Sequence, residues 1–335
     1  MTQAIAINGF GRIGRGVLRA IVEADATDIE VVAINDLSNP ETLAHLLKYD
    51  SVHGRFPGTV EVKGDTLVVE GRSIAVSAIR NPAELPWGGV DVAMECTGFF
   101  TKREAAAAHL ENGSKRVLIS APGAGADRTV VFGVNDKDLT KDDIVVSNAS
   151  CTTNCLAPVA HVLDQLAGIK TGYMTTIHAY TGDQPTHDTP HKDLYRGRAA
   201  ALSMIPTSTG AAKAISLVLP RLEGKLEGSA VRVPTANVSM VDLCIMAEKP
   251  VTRDEINDAM KAASEGALKG ILGYETDPLV SMDFNHDQHS SVFAPAQTSV
   301  TQDGMIRVVS WYDNEWGFAN RMVDTGRKIA QLAKT

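Results

Sequence analysis

What this sequence lacks narrows its function first. Nowhere does an apolar run reach the roughly 20 residues that a helix needs to cross a bilayer, so no membrane span and no membrane partner are expected. The start, Met1-Thr2-Gln3-Ala4-Ile5, has no basic stretch ahead of its apolar residues and leads straight into a strand-like run, so no signal peptide is expected. Cysteine is scarce: Cys96, Cys151, Cys155 and Cys244 form no CxxC pair and no disulfide framework, which predicts a reducing, cytoplasmic setting. Cys151 and Cys155 share a helix face, but with no second pair and no suitably spaced histidine no metal site is expected. Positive charge is short as well. The chain has 32 Lys and Arg against 40 Asp and Glu, a net charge of −8, which makes nucleic acid and anionic membranes poor partners. An anionic substrate would need local arginines and helix ends to reverse that field. There is no internal repeat, and no low-complexity segment beyond alanine clusters.

At 335 residues the chain predicts two domains, and 44% hydrophobic with 21% charged residues suits a globular protein with two sizeable cores. Ala4 to Ile7 reads as a short strand. Asn8-Gly9-Phe10-Gly11-Arg12-Ile13-Gly14 follows, and then Val17, Leu18, Ile21 and Val22 recur at helical spacing. A second strand from Ile29 ends on Asp36, about twenty residues past the glycines. Glycines alone only make turns. Between a strand and a helix, with an acid at the end of the next strand, they form the pattern that binds a dinucleotide. Gly9 and Gly11 would let the backbone approach a pyrophosphate at the helix N-terminus. Asp36 would accept hydrogen bonds from ribose hydroxyls and repel a 2′-phosphate, which favours NAD over NADP. Further strands at Val90–Cys96, Arg116–Ser120 and Ile144–Val146, a hairpin over Leu67–Val76 and an alanine-rich helix over Lys102–Leu110 complete the first half. Strand ends carrying Gly9, Asp36, Thr97 and Ser120 fit a parallel sheet with its ligand along that edge.

The stretch Ser147-Asn148-Ala149-Ser150-Cys151-Thr152-Thr153-Asn154-Cys155 joins the two halves. Ser150 is a good N-cap for a helix running to Gly168, kinked or weakened at Pro158. Cys151 would then sit at the positive end of the helix dipole, which favours the thiolate, the nucleophilic form. Cys155, one turn further on, reads as a packing residue. Of nine histidines, His178 stands out because a strand-like run ends there and leads into a long polar segment, Thr181–Thr207; a neutral imidazole beside a thiol can take its proton and return one. Thr209-Gly210 opens a helix toward Pro220, with small Ala211 and Ala212 leaving its first amides free for an anion. Arg232 and Arg198 could hold phosphate through the guanidinium fork. Strands at Ser229–Val233, Asn237–Ala247 and Met305–Tyr312, a helix over Arg253–Leu268 and an amphipathic C-terminal helix follow, predicting a mostly antiparallel sheet.

At these residues the chain resembles the phosphorylating, NAD-linked glyceraldehyde-3-phosphate dehydrogenases. The motifs are INGFGRIGR from Ile7, VAINDL from Val32, SNASCTTNC from Ser147, HAYTGDQ from His178, STGAAKA from Ser208, RVPTANVS from Arg232 and SWYDNEWGF from Ser310, and the likeness runs nearly the whole length. The resemblance implies a Rossmann-type parallel-sheet domain over residues 1–150, with the C-terminal helix of about 316–335 packed back on it, and an α+β catalytic domain over 151–315. It implies Cys151 as nucleophile and His178 as base, with Thr181 and Arg232 on the substrate's phosphate. Thr152, Arg198, Thr209 and Gly210 would serve the attacking inorganic phosphate, and Ser150 would belong to the substrate- and phosphate-binding set. Asn8, Gly9, Gly11, Arg12, Ile13, Asp36, Arg80, Thr97, Ser120 and Asn314 would contact NAD, Asn314 orienting the nicotinamide. It also implies a homotetramer, with the Thr181–Thr207 segment near a neighbouring subunit's cofactor. Phe318 stands where many members have tyrosine, and Pro185 where an arginine is common. Two other readings stay open: the same chemistry on a four-carbon sugar phosphate, as in the sister erythrose-4-phosphate dehydrogenases, and a nucleotide-binding protein without catalysis.

Overall fold

The run Gln3–Asn8 is apolar toward both faces, and Ile5, Ala6 and Ile7 are wholly buried, as a central parallel strand requires. In a computed structural model, which describes residues 2–333, it is the middle of a nine-stranded sheet. The order across the sheet is Arg128–Thr129, Val145–Ser147, Val117–Ile119, Val92–Glu95, Gln3–Asn8, Ile29–Asn35, Arg72–Ser77, Thr66–Val69 and Val60–Val62. All pairings are parallel as far as Arg72–Ser77; the hairpin beyond is antiparallel. The chain leaves Gln3–Asn8 for Ile29–Asn35 on one side and later returns to Val92–Glu95 on the other. Such a switch point opens a crevice at the carboxyl ends of the strands.

The glycine turn is dictated by space. Gly9 has φ +90°, and a Cβ there would lie 2.7 Å from the Thr97 amide. A Cβ on Gly14 would lie 2.2 Å from Gly9 O. Only glycine lets the helix Arg12–Glu23 start this close to the sheet. The alanine-rich stretch differs from expectation: it forms two single turns, Arg103–Ala106 and Ala108–Glu111. Leu110 N bonds to Ala107 O, an i+3 step that tightens the chain where His109 turns inward onto buried Glu95 (Nε2–Oε2 2.9 Å).

By contact density the chain divides into two units. The first holds residues through Phe132, Asp136–Ser150 and the chain from Ala319; the second holds Gly133–Asn135 and Cys151–Phe318. The helix Trp316–Leu332 contributes its length from Ala319 to the first unit, where Lys328 pairs with Asp136 (2.7 Å) and Arg116 holds Leu332 O (3.0 Å). The last two residues of the expected 316–335 helix lie outside the described residues.

The main stretch of the second unit opens with the helix Cys151–Ala167, buried along most of its length. Pro158 sits inside it without ending it, so the cost is one missing amide rather than a break. The helix packs on a mixed, mostly antiparallel sheet ordered Ile205–Ser208, Leu226–Val233, Ile169–Ala179, Ser239–Ala247, Met305–Tyr312, Ser291–Phe293 and Leu272–Tyr274, with Ser299–Val300 beside Met305–Tyr312. Ser239, Val241, Leu243 and Ile245 point inward in alternation, the period-two pattern of a strand with one covered face. Ile205–Ser208 takes up the end of the expected long loop. The helix expected to run from Gly210 toward Pro220 is α-helical only over Ala211–Ala214 and tightens to 3₁₀ at Ile215–Leu217. Ser216 Oγ donates to Lys213 O (2.9 Å), a local bond that competes with the α ladder. The helix Arg253–Glu265 carries a full Thr252–Glu255 capping box and stops at Gly266, short of the expected Leu268. Among the described residues no helix is long and apolar enough to cross a membrane.

The glycine geometry makes a direct prediction. Gly14→Ala should destabilise the first unit by about 1–3 kcal/mol through overpacking. Thermal unfolding together with amide exchange over Arg12–Glu23 checks it; wild-type exchange there would contradict it.

Candidate active site

Cys151 is delivered by a strained turn. Asn148 N bonds to Ile119 O (3.0 Å), Ala149 N bonds to Ser147 Oγ (3.1 Å), and Ala149 adopts φ +56°. A non-glycine residue in that region costs energy and persists because the neighbours hold it. Ser150 follows, and Cys151 is the first residue of its helix.

Cys151 is half-buried, with Sγ 3.6 Å from His178 Nε2. His178 is the penultimate residue of Ile169–Ala179, directly in register with Arg232 on the parallel neighbour. Its Nδ1 lies 2.7 Å from Ala179 O, an acceptor only, so Nδ1 carries the proton. Arg232 Nη1 stands 3.1 Å from the same nitrogen but cannot donate to an N–H; its protons go to Ala179 O (3.0 Å) and Thr181 Oγ1 (2.9 Å). The network therefore assigns the Nε2 lone pair to the Cys151 side. Burial, helped by the Arg232 charge, pushes the His178 pKa down to about 3, so the imidazole is neutral at physiological pH.

Cys151 departs from the dipole argument. Burial is the largest influence and raises its pKa above the ordinary thiol value; the Arg232 charge and hydrogen bonds from Thr152 pull it back. The thiol is thus set to pass its proton to a neutral neighbour rather than stand ionised. Cys155 packs as expected: it is fully buried, its sulfur 3.4 Å from Ser291 Oγ, and burial pushes its pKa up to about 12.

The anion-binding candidates separate. Thr181 and Arg232 meet beside His178, and the Thr181 hydroxyl donates to Asp183. Thr209 Oγ1 accepts from Ala211 N (3.2 Å), and Gly210 caps the single α-turn. Thr152 differs from its expected role: it is buried and its hydroxyl bonds to Tyr312 OH (2.8 Å), which also holds Thr176 Oγ1 (2.9 Å). Arg198 is not brought to the group. It is exposed and paired with Asp188 (2.7 Å). The arginine of that segment whose charge reaches His178, Asp183 and Arg232 is Arg196, which donates to Thr207 Oγ1 (3.0 Å) and Asp183 Oδ2 (3.0 Å). Burial alone would raise the Asp183 pKa; the Thr181 hydroxyl, Arg232 and Arg196 bring it below the usual carboxylate value. Sequence reasoning missed Arg196, Asp183 and Tyr312. On an irregular segment no period tells which of two nearby arginines faces inward. Asn314 is buried, its Oδ1 accepting from Ser239 Oγ (2.8 Å), which in turn accepts from Ala179 N (3.0 Å).

In the first unit, a cavity of about 530 Å³ opens at the strand ends, and Asn8, Gly9, Gly11, Asp36, Arg80 and Thr97 line it. Asp36 is held there by bonds from Phe10 N (2.9 Å) and Ser38 N (3.0 Å). Ile13 and Ser120 are not among the lining residues. Arg12 is turned onto Asp50 by two bonds (2.5 and 3.2 Å). Burial would raise the Asp50 pKa, but Arg12 and the amides of His53 and Val52 hold it far below the usual range.

Residues 3–103 match the family model described as glyceraldehyde 3-phosphate dehydrogenase, NAD binding domain, and residues 150–314 match that of the C-terminal domain. The chain belongs to the glyceraldehyde-3-phosphate dehydrogenase family. It is 67% identical to the protein of that name from Cereibacter sphaeroides, over 99% of this chain and 100% of the relative. The Xanthobacter flavus protein is 64% identical over 99% and 100%, and the Geobacillus stearothermophilus protein 58% identical over 98% and 99%. The first unit fits the family's NAD. A glycine turn with no room for side chains at Gly9 and Gly14, an acid at the next strand end and a crevice of dinucleotide size meet along one sheet edge. The residues matched by the family's C-terminal domain carry the Cys151–His178 pair and the Thr181–Arg232 cluster.

His178 makes the second unit sensitive to acid. Its folded pKa is about 3 against an ordinary 6.5, so the unfolded chain binds the proton first and stability falls as pH drops from 6.5 toward 3. Urea unfolding at pH 7 and at about pH 4.5 should show wild type losing more stability than His178→Asn. Equal losses would show that the imidazole is not held neutral.

Proposed function

We propose that this protein oxidises D-glyceraldehyde 3-phosphate with NAD and inorganic phosphate to 1,3-bisphosphoglycerate, through a covalent intermediate on Cys151. The observation that carries this reading is the Cys151 Sγ–His178 Nε2 approach of 3.6 Å beside the Thr181–Arg232 anion site. Cys151 sulfur attacks the aldehyde carbon while His178 Nε2 takes the thiol proton and passes it to the carbonyl oxygen, giving a thiohemiacetal. His178 then removes the hydroxyl proton as the C–H electron pair leaves, and a thioester on Cys151 results. NAD, when bound, accepts that hydride. A phosphate oxygen attacks the thioester carbon, the C–S bond breaks, and His178 returns its proton to the sulfur. Arg232 and Thr181 would hold the substrate's own phosphate, and the bidentate fork of Arg232 suits it.

For the attacking phosphate, Thr209, Gly210 and Ser150 remain the proposed partners, and Arg196 takes the place of Arg198. Thr152 supports the Cys151 sulfur through its hydroxyl and its amide. Asn8, Gly9, Gly11, Asp36, Arg80 and Thr97 are proposed to cradle the dinucleotide, Arg12, Ile13 and Ser120 to border it, and Asn314 to hold the nicotinamide amide. Asp36 supports NAD over NADP by repelling a 2′-phosphate. The family likeness supports a homotetramer, as do exposed Leu194, Tyr195, Leu202 and Met204 on the long segment. The lack of a disulfide framework supports a cytoplasmic site.

NADH formation from the aldehyde, with and without phosphate, tests the reaction. The rate should collapse without phosphate and in Cys151→Ala; a phosphate-independent rate would refute phosphorolysis. The arginine assignment has its own outcome. Arg196→Ala should raise the KM for phosphate about tenfold or more, the loss of a charge-assisted hydrogen bond. Arg198→Ala should leave it within about twofold, since an exposed ion pair contributes little. The reverse ranking would restore Arg198.

A further inference from the structure

Four neighbouring strands of the first sheet end in one row of polar residues. Asn8 is in register with Asn35 on one side and Glu95 on the other, and Asn35 is in register with Ser77. Asn8, Asn35 and Glu95 are each at most 4% exposed. Their hydrogen bonds all run the same way. Ser77 Oγ donates to Asn35 Oδ1 (2.9 Å), Asn35 Nδ2 to Asn8 Oδ1 (2.8 Å), and Asn8 Nδ2 to Glu95 Oε2 (2.7 Å).

Backbone groups lock the direction at both ends. Ile79 N donates to Asn35 Oδ1 (2.9 Å), and Asn35 Nδ2 returns a bond to Ile79 O (2.8 Å). At the far end Thr97 N donates to Glu95 Oε1 (2.9 Å), as does the Thr97 hydroxyl. His109 Nε2 approaches Glu95 Oε2 (2.9 Å), while its Nδ1 is buried with no hydrogen-bond partner. A backbone N–H cannot become an acceptor, so neither asparagine can flip without setting donor against donor. The row therefore needs an acceptor at both oxygens of residue 95.

We propose that Glu95 is a positioning residue for the dinucleotide site. It lines none of the cavity itself. It holds Asn8, Thr97 and, through Asn35, the Ile79–Arg80 segment, and all of these line the cavity. The proposal rests on the NAD reading of that cavity. A single buried acceptor thus sets the positions of three strand ends and the loop that carries Arg80.

Glu95→Gln replaces one acceptor oxygen with a donor at nearly constant shape. NAD binding by titration calorimetry should weaken about tenfold or more. The KM for NAD should rise in step while the KM for phosphate holds, a split that general loss of structure would not give. Amide exchange should quicken at Thr97 and Ile79. His109→Phe carries the test if Glu95→Gln does not fold. It keeps a ring against Trp87, which stacks on His109 at 5.4 Å, and removes one donor to Glu95. NAD should then bind about threefold more weakly. NAD binding within about twofold of wild type in the folded variants would overturn the proposal. Failure of the wild-type protein to bind NAD would instead overturn the cofactor reading.

Discussion

The hydrogen bond from His178 Nδ1 to Ala179 O, 2.7 Å long, decides how the second unit works, because it fixes which nitrogen faces Cys151. Burial in the sheet keeps the ring neutral, and Arg232, in register beside it, adds to that by making a second positive charge costly. The same guanidinium partly offsets the rise that burial imposes on the Cys151 thiol and reaches Thr181. One arginine therefore acts on His178, Cys151 and Thr181 together. Its strand position makes this possible, since parallel register places residue 232 opposite residue 178.

The opposing influences on Cys151 make sense together. A thiolate favoured by the helix end alone would titrate independently of its partner. Burial raises the thiol while it lowers the imidazole, so neither group is charged at rest. That arrangement limits stray reactions of a half-exposed cysteine while a neutral imidazole stays beside it as a proton acceptor.

Much of this was legible beforehand, for identifiable reasons. Gly9, Gly14 and Asp36 could be read because a backbone collision and a fixed spacing constrain them before any tertiary contact forms. Cys151 and the central strands were legible from periodicity, which local sequence sets. Arg196 was not, because the Thr181–Thr207 segment has no period and the facing arginine is chosen by Asp183 and Thr207, which fold against it. The inward hydroxyl of Thr152 was hidden for a similar reason: its partner Tyr312 lies 160 residues away in sequence. The short helix after Gly210 failed as a prediction because Ser216 bonds back to its own turn, a local competitor that composition does not rank.

The two units meet their charges by the same device. In the second, a backbone carbonyl fixes a histidine; in the first, backbone amides at Ile79 and Thr97 fix the direction of a row of side chains. Backbone groups cannot change their donor or acceptor character, so they serve as references that side chains must obey. This explains why buried Asn8, Asn35 and Glu95 lie beside a glycine turn rather than in an apolar layer. The glycines leave nothing of their own to shape the crevice. Its walls must be set from the row beneath, and a buried polar row with every direction determined has one arrangement where packed aliphatic side chains would have several.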